Sequence, residues 1–425
     1  MKKICVMRKI SVLLMAVLSF TCAKAQEQSK FGIKWSGFVK NDFFFDSRQT
    51  IAAREGHFLL WPSPAEIDLD GDDINEKPNF NFLAVQSRIK ASISGPDAFG
   101  ASTSGVIEAD FFAQANDNIN LLRLRHAFVK LDWTNLEVLA GQYWNPLFVT
   151  ECFPGTVSFN TGAPIQSFAR NPQVRLTYKL TKLRLSVAAL SQRDYTSRGE
   201  EISSSYLRNS SIPDMHVQAI YSSVDPERNT GFVAGAGIAY KTIVPRLENS
   251  FGPGLKFKVD EKVQGLTAIG YVKFLTTPFT FKAQLRYGEN IADVLAISGF
   301  AVKGISNGFT GELSYTPLRS MSFWGEIHSN GSDIQVGLFG GLSNNMGTKE
   351  EMDDENNDVY GLGTNIKFLY RLSPRLIVNS GKTRLALELE YTSASYGINY
   401  DSNYIPETTD TVNNLRVLIA VYYFF

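Results

Sequence analysis

From residue 26 onward no stretch of the chain sustains a 3.6-residue apolar period, whereas alternation with period two recurs many times. The clearest case puts Leu83, Val85, Ile89, Ala91 and Ile93 on one face and Gln86, Arg88, Lys90 and Ser92 on the other. The segments 174–179, 279–287, 385–391 and 415–425 repeat the pattern. Sixteen strands are predicted: 32–45, 79–93, 101–112, 120–132, 136–145, 173–180, 183–191, 214–222, 231–241, 263–274, 279–287, 309–316, 321–342, 359–371, 384–395 and 412–425. Their connections alternate. Those after even-numbered strands are mostly short, as at 133–135, 275–278 and 317–320, and several after odd-numbered ones are long, as at 46–78, 146–172, 192–213 and 288–308.

A soluble sandwich would also alternate, with its polar face toward water. Short turns on one rim and long loops on the other instead describe a transmembrane antiparallel β-barrel. Each strand with its connection has about 25 residues, enough for the roughly 9–11 that cross a bilayer at a tilt. Lipid offers no hydrogen bonds, so an open sheet edge would leave amides unpaired, and closure removes the edge. Aromatic residues collect at predicted strand ends, where headgroups would lie: Trp35, Phe43, Phe44 and Phe45, then Trp133, Tyr143 and Trp144, then Tyr422 to Phe425. The expected fold is therefore all-β: a barrel of about 16 strands over residues 26–425, with short periplasmic turns and long extracellular loops.

Composition supports this reading. A mean hydropathy of −0.10 excludes a multi-helix membrane protein but suits strands whose two faces average out. Residues 1–25 read as a signal peptide: Lys2, Lys3, Arg8 and Lys9, an apolar run from Ile10 to Phe20, and Ala23-Lys24-Ala25 as the cleavage site. Without that segment the chain keeps 37 bases against 42 acids, a net of −5, which argues against a nucleic-acid partner. Cys152 is then the only thiol, so no intramolecular disulfide is expected.

The last strand, Leu415 to Phe425, resembles the closing strand of bacterial outer-membrane proteins, whose terminal aromatic is recognised by the barrel-assembly machinery. That resemblance makes Phe425 the assembly signal. The segments Leu122 to Leu131, Gly141-Gln142-Tyr143-Trp144 and Phe168-Ala169-Arg170-Asn171-Pro172 resemble the DcaP-like trimeric porins of Bacteroidetes and proteobacteria. The resemblance implies a general-porin-like homotrimer in the outer membrane of a Gram-negative bacterium, in contact with lipid and lipopolysaccharide. The proteobacterial members carry an N-terminal coiled-coil extension, whereas here few residues separate Ala25 from the first strand. In 16-stranded porins the loop after the fifth strand folds into the pore, and 146–172 holds that position. Its Pro, Gly and Phe content and scarcity of charge, with Glu151 and Arg170 the main exceptions, suit a packed inward loop.

The polar faces of strands two to four offer Arg88 and Lys90, Glu108 and Asp110, and Arg123 and Arg125. A turn centred near residue 116 sets Glu108 opposite Arg125 and Asp110 opposite Arg123. Adding Arg175, Lys179, Lys282, Arg286, Arg416, Glu388 and Glu390 gives an inward wall of nine bases and four acids. Charge rows of this kind either orient solutes in a wet pore or brace the wall. Asp68, Asp70 and Asp72 open like a calcium loop, but Asp73 stands where an EF-hand needs Gly. The run 349–355 reads as solvated charge. Gly304-Ile305-Ser306-Asn307-Gly308 matches a nucleophile elbow without the strand, turn and helix it requires. Ser322 and His328 lie six residues apart on one predicted strand. The expected function is a porin, not an enzyme and without cofactors, that passes small hydrophilic solutes and weakly prefers anions. Two alternatives stand beside it: a plugged barrel serving as a binding or adhesion surface, and an outer-membrane hydrolase.

Overall fold

The computed structural model describes residues 31–250, 254–354 and 357–425; the predicted signal peptide lies outside them. Sixteen strands form one closed antiparallel wall: β1 Gly32–Asp46, β2 in two parts, Asn79–Leu83 and Arg88–Ser94, β3 Ser102–Asp110, β4 Arg123–Asp132, β5 Leu136–Trp144, β6 Arg170–Lys179, β7 Leu183–Leu190, β8 Asp214–Ser222, β9 Gly231–Ile243, β10 Val263–Leu275, β11 Phe279–Glu289, β12 Glu312–Ser329, β13 Ile334–Thr348, β14 Ile366–Ser380, β15 Thr383–Tyr400 and β16 Pro406–Phe424. Closure is made by β1, which pairs with β2 on one side and with β16 on the other, in register from Phe38↔Phe424 to Asp46↔Arg416. One residue further, Gly37 and Phe425 exchange both backbone hydrogen bonds at 3.2 Å.

Side-chain parity sorts the wall as the alternation predicts. Outward positions carry exposed apolar residues all round, among them Val39, Val129, Leu176, Val187, Ile238, Leu285, Leu338, Leu387 and Ile419. A belt of that kind is stable only against hydrocarbon. Inward positions carry buried polar and charged side chains, including Lys40, Asp42, Asp46, Glu326, Arg371 and Glu388.

The strand count agrees with the prediction, but several boundaries do not. The predicted turn at 317–320 is absent: β12 runs on through Pro317, and the true turn is 330–333. Pro317 sits where β12 changes partner, from the strand Ser298–Asn307 to β11, so its missing N–H interrupts little of the ladder. The turn itself is Asn330-Gly331-Ser332-Asp333, which has the appropriate residues. Consequently 321–342 is not one strand. The segment 288–308, read as a loop, contains the strand Ser298–Asn307, which extends the sheet beyond the wall together with Val359–Leu362. The predicted strand 359–371 is split: Val359–Leu362 pairs with Ser298–Asn307 outside the wall, and the wall strand begins at Ile366. Finally, β15 and β16 reach Tyr400 and start at Pro406, because polar residues such as Thr408 and Thr411 continue the ladder without apolar alternation.

The closing ladder generates a test. Deleting Tyr422 to Phe425 removes the rungs from Phe38↔Phe424 to Lys40↔Tyr422 and exposes a sheet edge to lipid. The truncated chain should give no heat-modifiable band in outer-membrane fractions on gels run without boiling.

Candidate functional site

The segment 145–169, between β5 and β6, lies inside the barrel. It has a single charged residue, Glu151, and its backbone groups are met by ions on the far wall. Glu326 accepts from the Gly155 amide at 2.6 Å and Glu388 from the Val157 amide at 2.5 Å. Glu390 accepts from the Asn160 side chain at 2.8 Å. In the opposite sense, Lys282 donates to the Phe153 carbonyl, Lys40 to Val157 and Arg371 to Ala163, at 3.0, 3.1 and 2.7 Å. Arg286, fully buried, donates to Ser167 Oγ and the Pro164 carbonyl. The backbone approaches so closely at Gly155 that a Cβ there would lie 2.9 Å from Arg375 Nη2 and 3.0 Å from Glu326 Oε1. Hydrogen bonds to charged groups are worth roughly 1.5–3 kcal/mol each, so this row of contacts fixes the loop firmly.

Three further segments fold inward from the same rim. The hairpin of Thr50–Ala53 and Phe58–Pro62 is held by Arg416 at the Gly56 carbonyl and by Arg371 at the Leu60 carbonyl, 2.7 and 2.6 Å. His57 contacts Asp42 at 2.8 Å, and burial outweighs that carboxylate and pushes the imidazole below its usual range. In the segment after β7, Asp194 meets Arg170 at 2.5 Å and Arg123 at 3.7 Å. In the segment after β11, the Val294 carbonyl accepts from Phe168 N at 2.9 Å.

Where the segments meet, aromatic rings and arginines pack into a septum between the inward segments and the wall. Phe112 and Phe159 lie 4.2 Å apart between centroids, Phe58 and Phe168 5.3 Å, Trp144 and Phe168 5.3 Å, and Trp144 and Phe148 3.9 Å. Arg123 lies over Phe112 at 4.7 Å and Arg170 over Trp144 at 5.1 Å. Phe168 is 1% exposed at the centre of this group. A cavity of about 350 Å³ lies on the short-turn side, with Phe148 in its lining, and one of about 650 Å³ on the long-loop side, with Phe58 in its lining.

The residues singled out in the sequence divide between these regions. Glu108, Asp110, Arg123, Arg125 and Arg170 are all buried around the septum, where Arg125 bonds Glu108 at 2.8 Å and Asp110 at 2.7 Å, and Arg123 bonds Asp110 at 2.8 Å. The predicted register holds for Asp110↔Arg123 only. A bulge sets His126, not Arg125, opposite Glu108, and turns both side chains inward. Arg88 lies 3.6 Å from Glu108, and Lys90 is opposite Glu108 on β3 without an ion pair among the described residues. Arg175 and Glu151 instead line the 350 Å³ cavity, with Lys179, which the sequence also assigned to the inward wall, and with Lys130, Glu137 and Arg184, which it did not. Glu151 reaches Arg184 across it at 2.5 Å. The bulge explains the omission of Lys130, because it shifts the parity of β4 by one. Asp42, Asp46 and Glu326 are inward acids that the count of nine bases to four acids left out.

The remaining candidates stay apart. Asp68 is exposed and turned into its own loop, accepting from the amides of Asp70 and Asp72 at 2.9 Å; among the described residues no group of three metal-ligating side chains converges. Ser322 and His328 lie on β12, the twelfth strand and not the thirteenth; Ser322 donates to the Ile165 carbonyl at 2.9 Å while His328 contacts Ser329. Ser306 lies on the strand Ser298–Asn307, with no helix after it. Cys152 is buried in the inward loop, and burial pushes its thiol up to about 12.

No family model and no curated protein matches the sequence. Solved structures do share its fold. The outer membrane channel DcaP of Acinetobacter baumannii superposes with a TM-score of 0.66 at 16% identity, over 95% of this chain and 100% of that one. OmpT, an outer membrane protein of Vibrio cholerae solved in a trimer form, gives 0.51 at 9% identity, over 93% of this chain and 100% of that one. The fold and the outward apolar belt are those of outer-membrane barrels, consistent with the outer membrane of a Gram-negative bacterium.

Two expectations follow from the septum. Replacing Phe168 with Ala should open a path between the two cavities, at about 3–5 kcal/mol of lost packing, and raise single-channel conductance at least twofold in planar bilayers. The second concerns pH. Burial raises the Asp194 carboxyl, but Arg170 and Arg123 outweigh it and hold the group below its ordinary value. Its stabilising contribution is therefore complete above about pH 4 and is lost as pH falls through the lower folded value. Deuterium uptake in 191–198 should rise below that pH, and Asp194→Asn should show the raised uptake already at neutral pH.

Proposed function

We propose that this protein is an outer-membrane porin through which small hydrophilic solutes diffuse passively, with a weak preference for anions. The observation that carries the reading is the cavity beneath the inward segment 145–169: four bases, Lys130, Arg175, Lys179 and Arg184, line it with two acids, Glu137 and Glu151. Lys130 is matched by Glu137 at 3.2 Å, Lys179 by Asp132 and Arg184 by Glu151, whereas Arg175 has only Gln173 Oε1 and the Trp144 carbonyl as acceptors, leaving a surplus of one positive charge. In a constriction of low effective dielectric such a surplus acts strongly on a passing ion, while salt screens wider regions within about 10 Å at 0.1 M.

In this reading 146–172 constricts the pore, the long loops face outward, and the chain forms a homotrimer in contact with lipid and lipopolysaccharide, as the trimer form of the Vibrio cholerae protein suggests. Phe425 is the signal for the barrel-assembly machinery, and residues 1–25 are the signal peptide. The septum favours a second reading, a plugged barrel whose loops form a binding surface.

Planar-bilayer recording separates the two. A porin gives stepwise conductance and, under a salt gradient, a reversal potential of anionic sign. Arg175→Ser combined with Lys179→Ser should reduce that potential by at least half. A wild-type barrel without conductance, or with cation preference, would set the reading aside.

A further inference from the structure

Most guanidinium groups at the centre of the barrel are matched with carboxylates, Arg123 and Arg125 with Asp110, Arg170 with Asp194, Arg371 with Glu390, Arg375 with Glu326 and Arg416 with Asp46, while the fully buried Arg286 is held by Ser167 and the Pro164 carbonyl. The 650 Å³ cavity on the long-loop side departs from this rule. Three arginines line it, Arg54, Arg193 and Arg198, and none of them makes an ion pair among the described residues. Arg54 is oriented by the Phe112 and Ala113 carbonyls, at 2.8 and 3.2 Å, and Arg193 is exposed. The acid in the lining, Asp194, is already occupied by Arg170 and Arg123. Phe58, Leu60 and Leu295 give the cavity an apolar wall beside the polar Gln114, Thr196, Ser203 and Ser204, and Tyr195 stands 6.4 Å from the ring of Phe58.

Uncompensated positive charge around one concavity concentrates anions there, and guanidinium forks suit the paired oxygens of a carboxylate or sulfonate. Apolar walls with a few convergent polar groups suit a ligand with a sizeable hydrocarbon body. We propose that this mouth cavity is a binding site for an amphipathic monoanion, a single acidic headgroup on a rigid apolar or aromatic body, which is captured before any passage through the barrel. A small dicarboxylate would engage the arginines but leave the apolar wall wet. A neutral aromatic compound would cover the wall but leave the arginines unmatched.

The test is calorimetric titration of the purified full-length protein in non-ionic detergent, with blanks into empty micelles. 2-Naphthoate should bind at one site per chain, at least tenfold more tightly than 2-naphthamide or succinate. Arg54→Gln with Arg198→Gln should weaken naphthoate at least tenfold, the exposed Arg193→Gln alone at least threefold, and Arg228→Gln in the exposed 223–230 turn not at all. Equal affinity for succinate or for the amide, or full affinity in the Arg193→Gln variant and in a heat-modifiable double variant, would overturn the proposal. Because binding is read without conductance, a barrel that binds naphthoate but passes no current leaves this site standing and removes the porin reading instead.

Discussion

A chain segment that leaves a barrel wall and lies within the lumen carries amides and carbonyls that no strand will pair, and the interior of this protein is organised around satisfying them. The segment 145–169 has almost no charge of its own to help. The wall supplies both signs: Glu326 and Glu388 toward its amides, Lys40, Lys282, Arg286 and Arg371 toward its carbonyls. Ion pairs alone would be a weak source of stability at such burial, since desolvation offsets most of the attraction. Here the ions also terminate backbone dipoles, which converts desolvated charge into a fixed position for the loop.

The architecture was legible in the sequence because a barrel in lipid imposes the same two-residue rhythm on every strand. Strand number and rim asymmetry follow from that rhythm and from connection length, whereas the inward loop is what the resemblance to 16-stranded porins implies, together with the composition of 146–172. What the rhythm cannot reveal is any place where the ladder continues without it. Pro317 looked like a turn but marks a change of partner, and the polar ends of β15 and β16 looked like loop. The hairpin at 50–62 likewise has no sequence mark separating it from the outward part of its connection, since its inward position depends on Arg371, Arg416 and Asn160, more than a hundred residues away in the chain.

The candidate site was legible only in part, and for a related reason. Parity identified Arg88, Glu108, Asp110, Arg123 and Arg125 as inward, but whether an inward charge meets solute depends on what packs over it. The septum covers Arg123, Arg125 and Arg170, while Arg175 and Glu151 remain beside open volume. A single bulge at Arg125 and His126 moved Lys130 to the inner face, and a bulge has no reliable signature in one sequence. Counting faces also misses pairing: Asp46 neutralises Arg416, and Glu326 lies 3.6 Å from Lys282, so part of the apparent surplus of bases is internal.

The circumference of the barrel thus has two arcs with different duties. From β11 round to β1 the inner side chains grip the inward segments, and from β4 to β7 they face the cavity beneath. A substitution at Lys179 or Arg184 touches none of the contacts that position 153–167, and one at Glu388 or Arg371 alters no charge around that cavity. In the proposed porin, the bore of the pore and its chemistry are therefore separately heritable: a lineage can retune which solutes it favours, one residue at a time, on a barrel whose aperture is set elsewhere.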